Sequence, residues 1–422
     1  MQRIVVSELP RPPMGCHAVA AGGFVFVGGL LPSDFRTGLA PQARPASELP
    51  LVDDGLRSQS EYIVDVAETI LEAAGVSFAD VVRIDQFITE RRAAAPYLRA
   101  RRNAFPLARR PASSLLHVQG LPVPQACVSA EIIAADRSVT KAEIFSDTAP
   151  VNFPGAPHGR RASPFVFVQG QIASDFTGPV APSAVPTPFW YETTVERETE
   201  YVLNVLTRIL EAAGSSLRNV VKAHVYLTDL GDFCEFERVW AKRFPADRPA
   251  RTIVPVVSLG SPACHVEIAV IALTENNSCR HLPKLGTAAP DAVPDPDAVL
   301  AGDFLFMSGL AAGDLNSGLD PAVKVPPGVR FLASEIERQT TNILERARRI
   351  CERGGTSLDR LTSAQVYLRD ASDYYNFARA WNDALGDDQP VVTTILTPDV
   401  TLCPGMRVSV DLVAYAPATR GQ

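Results

Sequence analysis

Two residues near the centre of the chain, Arg251 and Glu267, are of types that could act together on a small molecule. Arg251 follows Pro249-Ala250, and the flat fork of a guanidinium suits a planar carboxylate, which it can hold through two parallel hydrogen bonds. Glu267 lies within the apolar run HVEIAVIAL, where burial of a carboxylate is costly without a partner or a task. Arg251 could therefore bind a carboxylate, and Glu267 could carry out acid–base chemistry.

The elements that must position these residues occur three times along the chain. One block reads GGFVFVGGLLPSDFRTG from Gly22, SPFVFVQGQIASDFTG from Ser163 and GDFLFMSGLAAGDLNSG from Gly302. A second block, which ends in a helix-terminating glycine, follows each copy, and Gly75, Gly214 and Gly354 are taken as equivalent. Two blocks that recur at one period predict tandem domains, which we place at residues 1–138, 139–278 and 279–422.

Each repeat shows the same order of elements. A short apolar strand runs into a glycine turn and is followed by a long helix with one apolar stripe. In the second repeat this stripe comprises Val202, Leu203, Val205, Leu206, Ile209 and Leu210. A strand (VVKAHVYLT), a second amphipathic helix (FCEFERVWAKRF) and two closing strands complete the unit. The order β-β-α-β-α-β-β predicts an α+β fold with helices on one face of a mixed sheet.

Composition excludes several classes of function. The 422 residues include 40 Lys and Arg against 47 Asp and Glu, so the formal charge of −7 argues against nucleic acid as the partner. No apolar run reaches the roughly 18 residues of a membrane span, and no signal peptide is expected. The seven cysteines are scattered and form no CxxC pair, which argues against a disulfide framework or a structural zinc site. We therefore expect a cytoplasmic protein without a metal.

The repeated blocks resemble the RidA (YjgF/YER057c/UK114) family of enamine and imine deaminases. The similar stretches are the hairpin turn after the first strand, the helix that ends in AAG, the strand with VYLTD, the P-A-R-T segment and the V-E-I strand. The resemblance implies a chorismate-mutase-like fold and a trimer with a cleft at each subunit interface. Three copies in one chain imply an intramolecular pseudo-trimer, which we expect to be a monomer or to dimerise.

The resemblance also implies roles for the two central residues. The family's arginine in this segment holds the carboxylate of the substrate, and only the second repeat keeps it, as Arg251. The first and third repeats have Ser113 and Val392 there, although Arg109 and Arg110 could restore positive charge to the first. The family's acidic residue positions or activates the attacking water. It maps to Glu267, with Glu131 and Asp411 as the expected equivalents in the other repeats.

Other family positions have changed in this chain. A tyrosine that lines the family's cleft is replaced by His17 and His158, which we expect to line clefts and could shuttle protons near neutral pH. The family's Ser-Gly turn corresponds to Ser308-Gly309 in the third repeat, to Gln169-Gly170 in the second and to Gly28-Gly29 in the first. Ile253 replaces the cysteine that often follows the arginine, and we expect it to line the pocket.

The loop PVAPSAVPTPFWYE, residues 179–192, is rich in proline and ends in three aromatic residues. Phe189, Trp190 and Tyr191 require burial, either against the protein's own sheets or against a substrate. We take Trp190 and Tyr191 as candidate substrate-binding residues.

Three functions remain open from the sequence. The first is cofactor-independent hydrolytic deamination of a small carboxylated imine or enamine around Arg251 and Glu267. The second is a chorismatase-like or other biosynthetic hydrolase or isomerase, because chorismatases look like fused relatives of the family; their pattern is loosely met at residues 403–407. The third is a non-catalytic binding or scaffold protein, which an internally salt-bridged Arg251 would favour.

Overall fold

The computed structural model describes residues 1–45, 55–151, 153–187, 190–284, 295–315, 317–326, 328 and 334–417. Across these ranges the chain folds into three large mixed sheets, one for each repeat, with a small two-stranded sheet in the third repeat, and each repeat carries two α-helices. This arrangement confirms the predicted α+β class and the three tandem domains.

The first repeat contains eight elements. They are β1 (Gln2–Ile4), β2 (Ala18–Ala21), β3 (Phe24–Leu30), α1 (Leu56–Ala73), β4 (Val81–Ile88), α2 (Ala94–Ala100), β5 (Ala112–His117) and β6 (Val128–Ala135). The strands lie in the order β1-β2-β3-β6-β4-β5. Strands β4 and β5 run parallel, with α2 in the crossover between them, and the other neighbours are antiparallel.

The second and third repeats follow the same plan. The second has β7 (Lys141–Ile144), β8 (Gly159–Ala162), β9 (Phe165–Ile172), α3 (Thr194–Ala212), β10 (Val220–Leu227), α4 (Phe233–Arg243), β11 (Ala250–Pro255) and β12 (Val266–Leu273). The third has β13 (Cys279–Leu282), β14 (Ala298–Ala301), β15 (Phe304–Met307), β16 (Leu310–Ala311), β17 (Gly313–Asp314), β18 (Gly318–Leu319), α5 (Glu335–Gly354), β19 (Leu361–Leu368), α6 (Tyr374–Leu385), β20 (Val391–Leu396) and β21 (Val408–Tyr415). Each sheet gains one edge strand that the sequence did not predict, namely β1, β7 or β13.

The long helices form where the periodicity placed them. Helix α3 begins at a capping box in which Thr193 and Glu196 satisfy each other's backbone N–H groups, and its predicted apolar stripe is buried. Gly75 and Gly214 end their helices with positive φ, at 75° and 68°. In the third repeat the residue with this conformation is Gly355, at 78°, so the equivalence proposed for Gly354 is wrong by one position.

The three repeats meet around a common pseudo-threefold axis. Phe24, Phe165 and Phe304 form a triangle there, with ring centroids 5.7, 5.7 and 6.1 Å apart. Around this axis β5 packs on β9, β11 packs on β15, and β20 packs on β3. Each repeat therefore offers its parallel edge strand to one neighbour and its first hairpin to the other. Among the described residues, no helix is both long and apolar enough to cross a bilayer.

Candidate active-site clefts

The candidate clefts lie at the three contacts between a parallel edge strand of one repeat and the first hairpin of the next. Strand register places Arg251, Ser113 and Val392 at one equivalent position in β11, β5 and β20, as the sequence alignment predicted. Only the cleft between the second and third repeats therefore receives an arginine from this position.

The strand register corrects which residues of the first and third repeats are equivalent to Glu267. Glu267 pairs with Tyr226 on the neighbouring strand. In the other two repeats, the position of Glu267 is occupied by Ser129 and Ser409. Glu131 and Asp411 stand two residues further along, so their predicted equivalence with Glu267 is wrong by two positions. Residues i and i+2 share one face of a strand, and alternation alone could not separate these two positions.

Glu267 lines the cleft between the first and second repeats, with Ser113 from β5 and Gln169 and Gly170 from β9. Arg251 lines the cleft between the second and third repeats. The predicted pairing of Arg251 and Glu267 in one cleft is therefore wrong. Strand β11 reaches the third repeat, while Glu267 on β12 faces the cleft shared with the first repeat.

The Glu267 carboxyl group is enclosed, with the residue 4% exposed. A Cβ atom built on Gly170 would lie 1.8 Å from the Glu267 Oε1 atom, so only glycine leaves room for this side chain. Burial raises the pKa of Glu267 to about 8, although the adjacent Ser114 hydroxyl favours the charged form. At neutral pH the carboxyl group is mostly protonated and can donate a proton into the cleft.

Two guanidinium groups from the first repeat line the same cleft, Arg101 and Arg110. Arg110 lies 4.6 Å above the ring of Phe153, and neither arginine forms an ion pair with a carboxylate among the described residues. The cavity volume is about 780 Å³, within the range of small-molecule sites. Arg110 was noted in the sequence because it precedes the Pro-Ala-Ser segment, whereas no sequence signal marked Arg101 or Phe153.

The cleft between the second and third repeats contains Arg251, Ile253, Ser308 and Gly309, which the sequence placed at a binding site. The backbone N–H of Arg251 donates to the Ser308 hydroxyl at 3.2 Å, and that of Gly309 donates to the Arg251 carbonyl at 3.0 Å. These two bonds join the edge strand of one repeat to the hairpin turn of the next.

The Arg251 guanidinium is already engaged by carboxylates of its own chain. Nη1 donates to Glu237 at 2.7 Å, and Nε donates to Asp295 at 2.8 Å. The guanidinium also lies 5.0 Å from the ring centroid of Trp240. No sequence signal indicated the contact with Asp295, because that residue is 44 positions away, between β13 and β14 of the third repeat.

The contact between the third and first repeats has neither an arginine at the position of Arg251 nor a carboxylate at the position of Glu267. Val392 replaces the arginine, and the backbone N–H of Gly29 donates to the Thr393 hydroxyl at 3.1 Å. A Cβ atom on Gly29 would lie 2.7 Å from the Val392 carbonyl oxygen, so the two backbones touch here. The third and first repeats are therefore joined here by a hydrogen bond and by close packing of their backbones.

The two histidines have structural roles. His17 accepts a hydrogen bond from the Val6 N–H at 3.0 Å, and its other nitrogen lies 3.1 Å from the Pro10 carbonyl. His158 makes the same pair of contacts with Ser146 and Ala149, each at 3.2 Å. Both side chains are buried and line neither the Glu267 cleft nor the Arg251 cleft, so the structure does not support their predicted placement in these clefts.

The aromatic loop begins at Pro179, which lines the Glu267 cleft, but its exposed aromatic residues do not reach that cleft. Trp190 is 79% exposed and Tyr191 is 83% exposed, and neither lines that cleft. The expectation that the protein's own sheets bury these two residues is therefore not met. Phe189 lies outside the described residues.

A polar network occupies the pseudo-threefold axis. Lys222 and His224 contact the Asp411 carboxylate at 2.7 and 2.8 Å, and Arg83 contacts Asp85 at 2.7 Å. Burial lowers the pKa of both Lys222 and His224. Burial alone would raise the pKa of Asp411, but its contacts with Lys222 and His224 outweigh burial and hold that pKa below its usual range. Glu131 also belongs to this network, since it accepts a hydrogen bond from the Gln365 amide. Glu131 and Asp411 are thus axial residues.

Comparison with known proteins agrees with the three-repeat architecture. The sequence model described as endoribonuclease L-PSP matches three times, over residues 16–136, 157–274 and 288–416. The chain belongs to the endoribonuclease L-PSP family. Each match of this family spans one of the three sheets, which confirms the resemblance read from the repeated blocks.

Members of the L-PSP family that resemble this chain match it about one repeat at a time. A RutC family protein of Pyrococcus horikoshii is 35% identical over 136 residues, which are 32% of this chain and 99% of the relative. The chloroplastic Reactive Intermediate Deaminase A of Arabidopsis thaliana is 32% identical over 34% of this chain and 71% of the relative. The crystal structure of yeast Mmf1 is 32% identical over 32% of this chain and 100% of that chain, with a TM-score of 0.28.

Proposed function

We propose that this protein is a cofactor-independent enzyme that hydrolyses a small carboxylated imine or enamine in the cleft between its first and second repeats. The family includes a protein named as a reactive intermediate deaminase, which supports a small-molecule deaminase or hydrolase role at the level of the family. The finer assignment to this cleft stands on Glu267, the buried, protonated carboxyl group in its wall.

The electrostatics of this cleft suit an anionic substrate. Arg110 and Arg101 contribute positive charge without carboxylate partners among the described residues, and their guanidinium planes can hold a carboxylate by two hydrogen bonds. Arg110, which precedes the strand that has lost the family arginine, supplies the group that binds the substrate carboxylate. Its stacking on Phe153 limits the motion of the guanidinium.

Glu267 then serves as the proton donor and acceptor. The protonated carboxyl group transfers its proton to the substrate nitrogen, and the resulting carboxylate accepts a proton from water as the water oxygen bonds to the C=N carbon. Glu267, protonated again by the water, donates this proton to the amine nitrogen of the carbinolamine, and the C–N bond then breaks so that the nitrogen leaves as ammonia. The hydroxyl proton returns to Glu267, so imine and water become a carbonyl compound and ammonia.

Ammonia release from freshly generated 2-iminobutyrate tests the proposal. We expect turnover by the wild-type protein and a loss of about 100-fold or more on Glu267→Gln. Wild-type protein that is folded but releases no ammonia faster than buffer would overturn deamination of this substrate.

A non-catalytic binding protein is the second candidate, and one observation favours it. No cleft combines an arginine at the position of Arg251 with a carboxylate at the position of Glu267, and Arg251 itself is salt-bridged inside the protein. Under this alternative, a 2-oxo acid would bind to the Glu267 cleft in a calorimeter, but no imine would be hydrolysed.

The chorismatase-like alternative receives less support from the geometry. Arg407, in the segment that loosely meets that pattern, donates from Nε and Nη2 to the two carboxylate oxygens of Asp373, each at 2.9 Å. This bidentate pair engages the guanidinium that would otherwise bind a substrate.

A further inference from the structure

The cleft between the first and second repeats carries an excess of positive charge. Arg101 and Arg110 supply it, and the acidic group that lines the cleft with them, Glu267, is mostly protonated at neutral pH. We propose that the ligand of this cleft carries two anionic groups, and that the substrate is the imine of a dicarboxylic acid whose second carboxylate binds to Arg101. This inference rests on the proposed function for the imine and extends it to the class of substrate.

Arg101 occupies a position that holds a large aromatic residue in the other two repeats. It lies thirteen residues after the end of β4, as Trp240 and Trp381 do after β10 and β19. Both tryptophan side chains are fully buried, and Trp240 packs on Phe244 with ring centroids 4.3 Å apart. The first repeat therefore has a cation where the fold elsewhere places an apolar ring, which indicates a role other than packing.

The Arg101 guanidinium is enclosed without a carboxylate partner. The residue is 9% exposed, and its guanidinium carbon lies 5.7 Å from the ring centroid of Tyr97 and 5.9 Å from that of Phe105. In the second repeat, Glu237 pairs with the arginines beside it, but the equivalent residue in the first repeat is Leu98. Arg101 thus has no carboxylate within the described ranges, and a buried charge without a partner is costly. An anionic group of a ligand would supply that partner.

Arg110 adds a second positive charge to the same cleft. Burial lowers the pKa of Arg101, and the nearby charge of Arg110 also lowers it, although a guanidinium remains charged at neutral pH. A ligand with one carboxylate would neutralise one of these cations and leave the other unpaired. A ligand with two carboxylates neutralises both, since each guanidinium can hold one carboxylate through two parallel hydrogen bonds.

The cleft also has room for a substrate longer than 2-iminobutyrate. Its cavity volume is about 780 Å³, against about 180 Å³ for the cleft that contains Arg251. Leu98, Leu115 and Ile172 are among the apolar residues that line it. The methylene groups of a dicarboxylic acid would pack on these side chains while its two ends bind the two arginines.

Calorimetric titration with 2-oxoglutarate and 2-oxopentanoate tests this proposal. The two acids have carbon chains of equal length, neither can be deaminated, and only 2-oxoglutarate carries a second carboxylate. We expect the wild-type protein to bind 2-oxoglutarate at least about 10-fold more tightly than 2-oxopentanoate, because only 2-oxoglutarate pairs with both cations. Arg101→Gln should abolish this preference by weakening the binding of 2-oxoglutarate alone.

Two further variants make the test decisive. Arg99→Gln removes an exposed arginine of α2 and should leave both affinities unchanged. Arg101→Trp introduces the residue that the other two repeats have at this position, so it provides a second test should Arg101→Gln fold poorly, and it should abolish the preference as well. Equal affinities for the two acids in the wild-type protein, or a preference that survives both changes at Arg101, would overturn the proposal.

Rates of ammonia release distinguish this proposal from the proposed deamination. We expect freshly generated 2-iminoglutarate to give a higher kcat/KM than 2-iminobutyrate, and Arg101→Gln to remove the difference. If 2-oxoglutarate is preferred but neither imine is hydrolysed, the dianionic ligand is supported and deamination is overturned. If 2-iminobutyrate is hydrolysed but 2-oxoglutarate is not preferred, deamination is supported and the second anionic group is overturned.

Discussion

Arg251 and Glu267 belong to the same repeat but line different clefts, on opposite neighbours of that repeat. In the family that the chain resembles, an arginine and a carboxylate serve one site. Here each cleft takes its edge strand from one repeat and its last strand from the next, so two groups kept in a single repeat are separated. The three contacts therefore differ: one contains the Glu267 carboxyl group, one contains an arginine engaged by carboxylates of its own chain, and the third has Val392 in place of the arginine.

The Arg110 guanidinium is expected to set substrate affinity. Arg110→Gln should raise KM about 10-fold or more with a smaller effect on kcat, because it removes carboxylate binding that is present in both the ground state and the transition state. Initial rates of ammonia release over a range of imine concentrations measure both constants. Arg109→Gln, a change at the exposed neighbouring arginine, is the matched control, and an equal rise in KM for both variants would contradict the assignment.

The buried carboxyl groups predict how stability depends on pH. Burial raises the pKa of Glu267 and of Glu131 to about 8 from 4.5, so the folded protein binds more protons than the unfolded chain between these values. The free energy of unfolding should therefore fall as the pH rises from about 5 to 8. Glu267→Gln should flatten this fall when measured by urea denaturation across that range. An unchanged slope would show that Glu267 is ionised in the folded protein.

The axial ion pair predicts a large loss of stability on removal of one partner. Asp411→Asn leaves Lys222 buried without its carboxylate and should lower the free energy of unfolding by about 3–5 kcal/mol. Urea denaturation measures the change. Asp388→Asn removes one partner of the exposed pair with Arg3 and should cost less than about 1 kcal/mol. Similar losses for the two variants would mean that the axis is hydrated and the pair is screened.

The fold could be predicted from the sequence because its signals are local and repeated. The stripe from Val202 to Leu210 and the positive-φ glycine at Gly214 determine a helix without reference to distant residues. The edge strands β1, β7 and β13 were missed because they are only three or four residues long and carry no clear alternation.

The site could be predicted only in part. Arg251 and Glu267 were found by residue type, but the cleft each one joins depends on the order of repeats around the axis, which a strand pattern does not contain. Strand alternation also could not separate Glu131 from the position of Glu267, because both lie on one face. The structural role of His158 depends on its contacts with two backbone groups, at Ser146 and Ala149, which could not be predicted from the sequence.

A comparison of Glu267→Gln with Glu131→Gln tests the central claim most directly. Both residues are glutamates on the last strand of a sheet, Glu267 buried and Glu131 half-buried, and desolvation raises the pKa of each to about 8. Only Glu267 lines the cleft with Arg110. The measurement is the rate of ammonia release from 2-iminobutyrate between pH 6 and 9. We expect wild type and Glu131→Gln to turn over alike, with activity declining above about pH 8, and Glu267→Gln to lose about 100-fold or more. Full activity in Glu267→Gln would contradict the account.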